Sequence, residues 1–202
     1  SGVIEEADFL TLLDTIHDCP HVVFGGIFSH DGNSYGAADL DALNALSEGA
    51  QRRTLHFAAL AAQHGMTCRT VSYGATPTFM NRVKILPGIT ELRPGTYALM
   101  DASQGNAIGT LERCAATVLA SVISKPTDTR TILDVGAKGL TMQTRTEGIC
   151  AVAGRGTLLD MPQVHIEKVF DEHAIVNDKQ FHDRVSVGDK VRIIPVPICP
   201  VC

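Results

Sequence analysis

An α/β fold running into a mostly β domain is predicted for this chain, on three observations. Helical and strand patterns alternate with short connections over roughly the first eighty residues, the signature of βαβ units and a parallel sheet. From about Glu91 onward, β-branched and alternating runs replace the helical periodicity. With 202 residues, 45% hydrophobic and 19% charged, the chain can bury a substantial core along its whole length. Residues 1–90 and 91–202 are the expected domains.

Residues 5–18 read as a helix with Phe9, Leu10, Leu12, Leu13 and Ile16 on one face and two carboxylates at its start, where the helix dipole favours them. Residues 22–28 are a short apolar β run. The Ala/Leu-rich stretch 37–64 is a long helix stopped by Gly65, and 67–72 is the next strand. Beyond residue 91, strands are expected at 97–100, 115–124, 131–135, 149–152, 165–169 and 190–196, separated by Gly and Pro punctuation such as Lys125-Pro126 and Gly154-Arg155-Gly156.

Charge and hydropathy exclude several functions. Seventeen Lys and Arg against 22 Asp and Glu leave a net charge of −5 with no basic cluster, so nucleic acid is not an expected partner. The longest apolar runs, 21–28 and 114–124, fall far short of the ~20 residues of a membrane-spanning helix, so no membrane span is expected. Ser1 to Glu6 has neither an initiator Met nor the pattern of a signal peptide, so the start of the chain reads as processed, truncated or engineered. Six scattered cysteines, with CxxC spacing only at Cys199-Pro-Val-Cys202, point to a reduced, cytoplasmic protein whose thiols are mostly inert core groups.

Four segments carry candidate chemistry. Ser72-Tyr73-Gly74-Ala75-Thr76-Pro77-Thr78 follows a predicted strand, and a phosphate needs such convergent hydroxyl and amide donors with close backbone approach at a glycine. A helical turn opening at Thr76 or Pro77 would add the favourable end of its dipole, although such clusters are also ordinary strand-to-helix turns. The strand end Gly26 to Tyr35 includes His30, suited to stacking on a cofactor ring or to closing a polar loop. In Glu91-Leu92-Arg93-Pro94-Gly95-Thr96-Tyr97, Arg93 suits a phosphate, a ring nitrogen or an ion pair with Glu91. Lys138 follows a predicted β-domain strand without the desolvated pocket that an activated lysine needs, and reads as structural.

In order and spacing, the segments GGIFSHDGNSYG, TVSYGATPT, TELRPGTYALMD, CAATVLASVISKP, ILDVGAKGLT, VFDEHAIV and VGDKVRIIPVPICP resemble the D-serine dehydratase and D-threonine aldolase group of pyridoxal-phosphate enzymes with the alanine-racemase type of fold. The resemblance implies the second half of a (β/α)8 barrel followed by a β domain, and a lyase acting on small D-3-hydroxy amino acids. The alternatives are a racemase and a non-catalytic fragment. It also implies that Ser72, Gly74, Ala75 and Thr76 bind the cofactor phosphate with Gly95 and Thr96 beside them. His30 would lie against the pyridine ring, Tyr35 would be a further contact, and Arg93 and Tyr97 would line the pocket.

The family's Schiff-base lysine lies on an early barrel strand, N-terminal to Ser1. No catalytic residue is therefore nominated here, and this chain alone is expected to be inactive. The family's zinc or manganese ligand pair is His-x-Cys or His-x-Asp after Ile-Pro-x. Here Pro197 stands at the His position and Cys199 is the one ligand retained. Half a barrel exposes two parallel sheet edges, so the chain is expected to associate with a preceding segment or with itself, and the family is typically homodimeric.

Overall fold

The computed structural model describes residues 2–202 as two compact units: one runs up to Ser34 and resumes over Asp39–Pro94, and the other comprises Tyr35–Ala38 and Gly95–Cys202.

In the first unit, helix α1 (Glu6–Asp18) packs on helix α2 (Leu40–Gln63). Phe9 and Leu13 supply the buried face of α1, and Phe9 meets Phe57 edge to face with centroids 5.0 Å apart. Glu6 to His56 and Asp14 to His64 tie the two helices at 2.7 and 2.6 Å. The long helix begins at Leu40 rather than Ala37 because Asp39 caps it, accepting from the Ala42 amide at 2.8 Å. It ends before Gly65, whose φ of +83° suits glycine after a helix C-terminus.

Three parallel strands, β1 (Gly26–Ser29), β2 (Thr70–Tyr73) and β3 (Glu91–Leu92), pair in that order. The run at 22–28 was expected as a strand, but β1 starts only at Gly26. There the backbones approach so closely that a Cβ would lie 2.1 Å from the Thr70 carbonyl oxygen. The register pairs Phe28 with Ser72 and Ser29 with Tyr73. Odd-numbered side chains face the helices: Ile27 joins the α1–α2 core, Ser29 bonds Thr54 at 2.6 Å, and Tyr73 bonds Ser47. Even-numbered ones face the opposite way, where Phe28 is 72% exposed. Helix α3 (Thr76–Met80) follows β2.

The second unit is built on a seven-stranded antiparallel sheet of order β7-β6-β10-β4-β5-β9-β8. Its members are β4 (Val118–Ser124), β5 (Arg130–Leu133), β6 (Gly156–Leu158), β7 (Met161–His165), β8 (Lys168–Val169), β9 (Ala174–Asn177) and β10 (Lys190–Pro195). Val122, Leu133, Leu158, Ile166, Val176, Phe181 and Ile193 are in its main core. Two short helices occur where no helix was expected, α4 (Ala102–Ile108) and α5 (Lys179–Arg184), capped by Asp101 and Asp178 respectively. Asp101 also accepts from the Ile198 amide at 3.1 Å, fastening the C-terminal segment to α4.

Two expected strands are absent. Residues 97–100 fall on a 3₁₀ turn, Thr96–Ala98, where Met100 adopts φ +59°. Residues 149–152 are a loop because their amides are taken outside any strand ladder: Ile149 donates to Ala37, Ala151 to Gly148 and Val152 to Arg145. Lys138 is a surface residue paired with Glu172. No helix among the described residues is long and apolar enough to cross a membrane.

Candidate functional site

Parallel pairing puts the carboxyl ends of β1, β2 and β3 side by side, and the side chains that follow them meet. Nδ1 of His30, just after β1, lies 3.2 Å from the carbonyl oxygen of Gly74, just after β2. A carbonyl only accepts, so the neutral imidazole carries its proton on Nδ1 and leaves Nε2 as an acceptor. Gly74 holds φ +129°, a conformation open to glycine, and its replacement would be strained whatever the surrounding space. Arg93, after β3, places its guanidinium 4.2 Å above the Phe28 ring and donates to the Ser29 carbonyl at 3.3 Å. Glu91 instead accepts from the Ser72 hydroxyl at 2.5 Å.

The loop 72–78 is buried throughout. Thr76 is 1% exposed, yet its hydroxyl has no hydrogen-bond partner. A hydroxyl buried without a partner is costly and rare, so an unmet bond at a strand end is a mark of a ligand's seat. α3 opens at Thr76, but a helix of five residues carries little of a macrodipole, leaving the hydroxyl and loop amides as the donors.

Behind this loop lies a buried chain of hydrogen bonds that sequence reasoning missed. Asp31, 2% exposed, accepts from Tyr73 Oη at 2.6 Å and from Thr78 Oγ1 at 2.5 Å. Tyr73 also bonds Ser47, which Gln51 reaches at 3.5 Å while bonding the Lys84 carbonyl and the Leu86 amide. Burial pushes the Tyr73 phenol up, and the Asp31 carboxylate reinforces this. Asp31 thus ties the end of β1, the end of β2 and α3 together, and only its place next to His30 hinted at this. A cleft of about 780 Å³ opens along the free side of β1, between Phe9, Phe28, His30 and Phe57.

In the second unit, Tyr35 lies beneath Arg145, whose guanidinium stands 4.1 Å from the ring centroid. Gly95 and Tyr97 are exposed, while Thr96 is buried with its hydroxyl 3.4 Å from Cys199 Sγ. No group of three His, Cys, Asp or Glu side chains able to hold a metal ion occurs among the described residues, and Pro197 brings no donor atom beside Cys199. This donor set does not fit a divalent cation.

All six cysteines are free thiols. Burial pushes the Cys150 thiol up to about 11 despite the nearby Arg145 charge, and it pushes Cys114 up to about 11 as well. Near neutral pH, iodoacetamide is therefore expected to label exposed Cys199 and Cys202 within minutes and to leave Cys150 untouched until denaturant is added. Peptide mass mapping checks this, and early labelling of Cys150 would contradict its burial.

A model of the alanine racemase N-terminal domain matches residues 1–103, and the model described as "putative serine dehydratase domain" matches residues 115–202. The chain belongs to the alanine-racemase-fold family. A D-threo-3-hydroxyaspartate dehydratase from Delftia sp. is 29% identical over 198 residues, 92% of this chain and 52% of the relative. A D-threonine aldolase from Arthrobacter sp. is 28% identical over 203 residues, 98% of this chain and 51% of the relative. The solved structure of the Delftia dehydratase superposes on all of this chain and 56% of that one, with a TM-score of 0.86 at 28% identity. A D-threonine aldolase structure from Filomicrobium marinum gives a TM-score of 0.72 at 25% identity, covering 95% of this chain and 50% of that one. The chain spans about half the length of the relatives it matches.

Proposed function

We propose that this chain is the C-terminal portion of a pyridoxal-phosphate-dependent lyase acting on D-3-hydroxy amino acids. Residues 1–90 would form the second half of its (β/α)8 barrel and residues 91–202 its β domain, with a homodimer as the assembly expected by resemblance. The buried, unpartnered hydroxyl of Thr76 carries the reading, because it is an unmet donor in the loop to which the resemblance assigns the cofactor phosphate.

In this reading, Thr76 and the amides of Gly74 and Ala75 take the phosphate. His30, held by the Gly74 carbonyl, lies against the pyridine ring. Arg93, fixed over Phe28, lines the pocket. The resemblance nominates Tyr35, Gly95, Thr96 and Tyr97 for the same cofactor. Ser72 contributes through Glu91, since its hydroxyl is already engaged there. When bound, the cofactor stores the electrons released at the substrate α-carbon or in carbon–carbon cleavage. The protein's part is to seat and orient it, and Asp31 holds the ends of β1 and β2 and the start of α3 together for that purpose.

A racemase is the second reading, favoured by the replacement of the metal-ligating His position with Pro197. Product analysis separates the readings. Incubating the complete enzyme and cofactor with D-serine, D-threonine and D-threo-3-hydroxyaspartate should yield a 2-oxo acid with ammonium, or an aldehyde with glycine. Release of the L-enantiomer alone would establish the racemase.

Thr76→Val gives a sharper test. It keeps the shape and removes one charge-assisted bond worth roughly 1.5–3 kcal/mol, so cofactor affinity should fall by about one to two decades. Without cofactor the same variant should be no less stable than the parent, because it removes a buried unpaired hydroxyl. Undiminished cofactor binding would make the loop an ordinary turn.

A further inference from the structure

β10 ends at Pro195, and the residues after it form a tip on a fixed base. Val196 and Ile198 are buried, and the Ile198 amide donates to one carboxylate oxygen of Asp101 at 3.1 Å. The other oxygen of Asp101 accepts from the Ser103 hydroxyl and the Gln104 amide, so the clasp is itself held by α4. At Cys199 the backbone leaves the core and reverses. The Val201 amide donates to the Ile198 carbonyl at 2.9 Å, and the chain turns over 199–201. Cys199 lies inside that turn, and Cys202 follows it directly.

This arrangement suits a bond between the two sulfurs. A turn keeps Cα atoms three positions apart within about 7 Å, and a disulfide accepts Cα atoms about 4.4–6.8 Å apart. Cys199 and Cys202 have that spacing and flank the reversal, and both are free, exposed thiols. The other four cysteines are covered: Cys150 is buried, and Cys19, Cys68 and Cys114 are half-buried. Burial also pushes the Cys68, Cys114 and Cys150 thiols up, away from the reactive thiolate. The Thr96 hydroxyl, 3.4 Å from Cys199 Sγ, orients that sulfur. Pro197 sets no metal donor beside it, so Cys199 is not committed to a divalent cation.

We propose that Cys199 and Cys202 are a reversible redox pair, closing to an intramolecular disulfide by exchange with a low-molecular-weight disulfide of the glutathione type. The inference is independent of the function proposed above. One protein thiolate attacks the small disulfide, forming a mixed disulfide and releasing one small thiol. The second protein thiolate attacks the protein sulfur of that mixed disulfide, forming the Cys199–Cys202 bond and releasing the other small thiol. The two cysteines give up two protons and two electrons, and the small disulfide takes them up as two thiols. Closing so short a loop orders little chain, so the second step outpaces capping by another small disulfide. The bond is as exposed as its thiols, so excess small thiol reopens it.

The test incubates the complete protein with oxidised glutathione and maps its peptides without reduction. The peptide that holds both cysteines should be lighter by two hydrogen atoms, carry no glutathione and take no iodoacetamide. Excess reduced glutathione should restore full labelling of both positions. Cys199→Ser and Cys202→Ser each change one exposed side chain, and each should stop at a stable glutathione adduct on the remaining cysteine. Retention of two glutathiones by the parent overturns the proposal, because the sulfurs would then be unable to meet. A disulfide between two copies of the chain, linkage to another cysteine, no reaction, or a bond that excess reduced glutathione leaves closed overturns it as well.

Discussion

Gly148→Val is expected to detach the 139–152 loop and destabilise the second unit by at least about 3 kcal/mol. Two costs add. A branched residue at φ +67° is held in the left-handed region, at roughly 1–2 kcal/mol. Its Cβ would also stand within 2.4–2.7 Å of the backbone of Gly36 and Ala37, and backbone atoms cannot turn aside as a flexible side chain can. The loop would lift, breaking the Ile149-to-Ala37 bond and taking Arg145 off Tyr35. Thermal unfolding should show a lowered midpoint, and limited trypsin digestion should cut after Arg145 faster than in the parent. A variant that melts with the parent and resists trypsin equally would mean that this anchorage is dispensable.

The second large effect is expected at Asp31. Asp31→Leu should cost about 3–5 kcal/mol, because each hydrogen bond to a buried carboxylate contributes roughly 1.5–3 kcal/mol and two are lost. The penalty comes mainly from the Thr78 hydroxyl, left dry and unpaired, and from the Tyr73 hydroxyl, left with Ser47 alone. Adding Tyr73→Phe and Thr78→Val should therefore recover much of the stability, the non-additivity expected within one network. Urea unfolding of the single and triple variants decides it. A triple variant worse than the single one would show that the pocket depends on shape rather than on polar pairing. Cofactor affinity should remain low in both, since His30 and Thr76 flank the lost tie.

The contrast between these residues and Thr76 shows how far sequence reasoning reaches. The loop was legible because a β run followed by Ser, Gly, Thr and Pro is a local pattern, and local patterns survive in one dimension. The unpaired state of the Thr76 hydroxyl was not, since it depends on everything packed around it. Asp31 lay hidden because its partners stand 42 and 47 positions away. Arg145 lay hidden because the ring beneath it comes from a turn 110 positions earlier, a pairing that no spacing rule encodes. Helices 6–18 and 40–63 were readable from long apolar periodicity. Helices α4 and α5 were not, because at seven and six residues they show too few turns for a period and depend on Asp101 and Asp178 caps. The false strand at 149–152 had the right residues, but its amides were claimed by a loop.

The strict alternation along β1 and β2 divides the ways in which this protein can change. Substitutions at Ile27, Ser29 or Tyr73 are felt by the helices and are filtered by folding. Substitutions at Phe28 reach the other face, where its side chain stands 72% exposed and little stability is at stake. The two faces can therefore drift under separate selection, one conserving the scaffold while the other explores new contacts. A one-residue insertion or deletion inside either strand removes that freedom at once, exchanging the two faces. Length in these strands is thus under tighter constraint than identity, and lineages of such proteins should vary in which residues the exposed face carries long before they vary in how many.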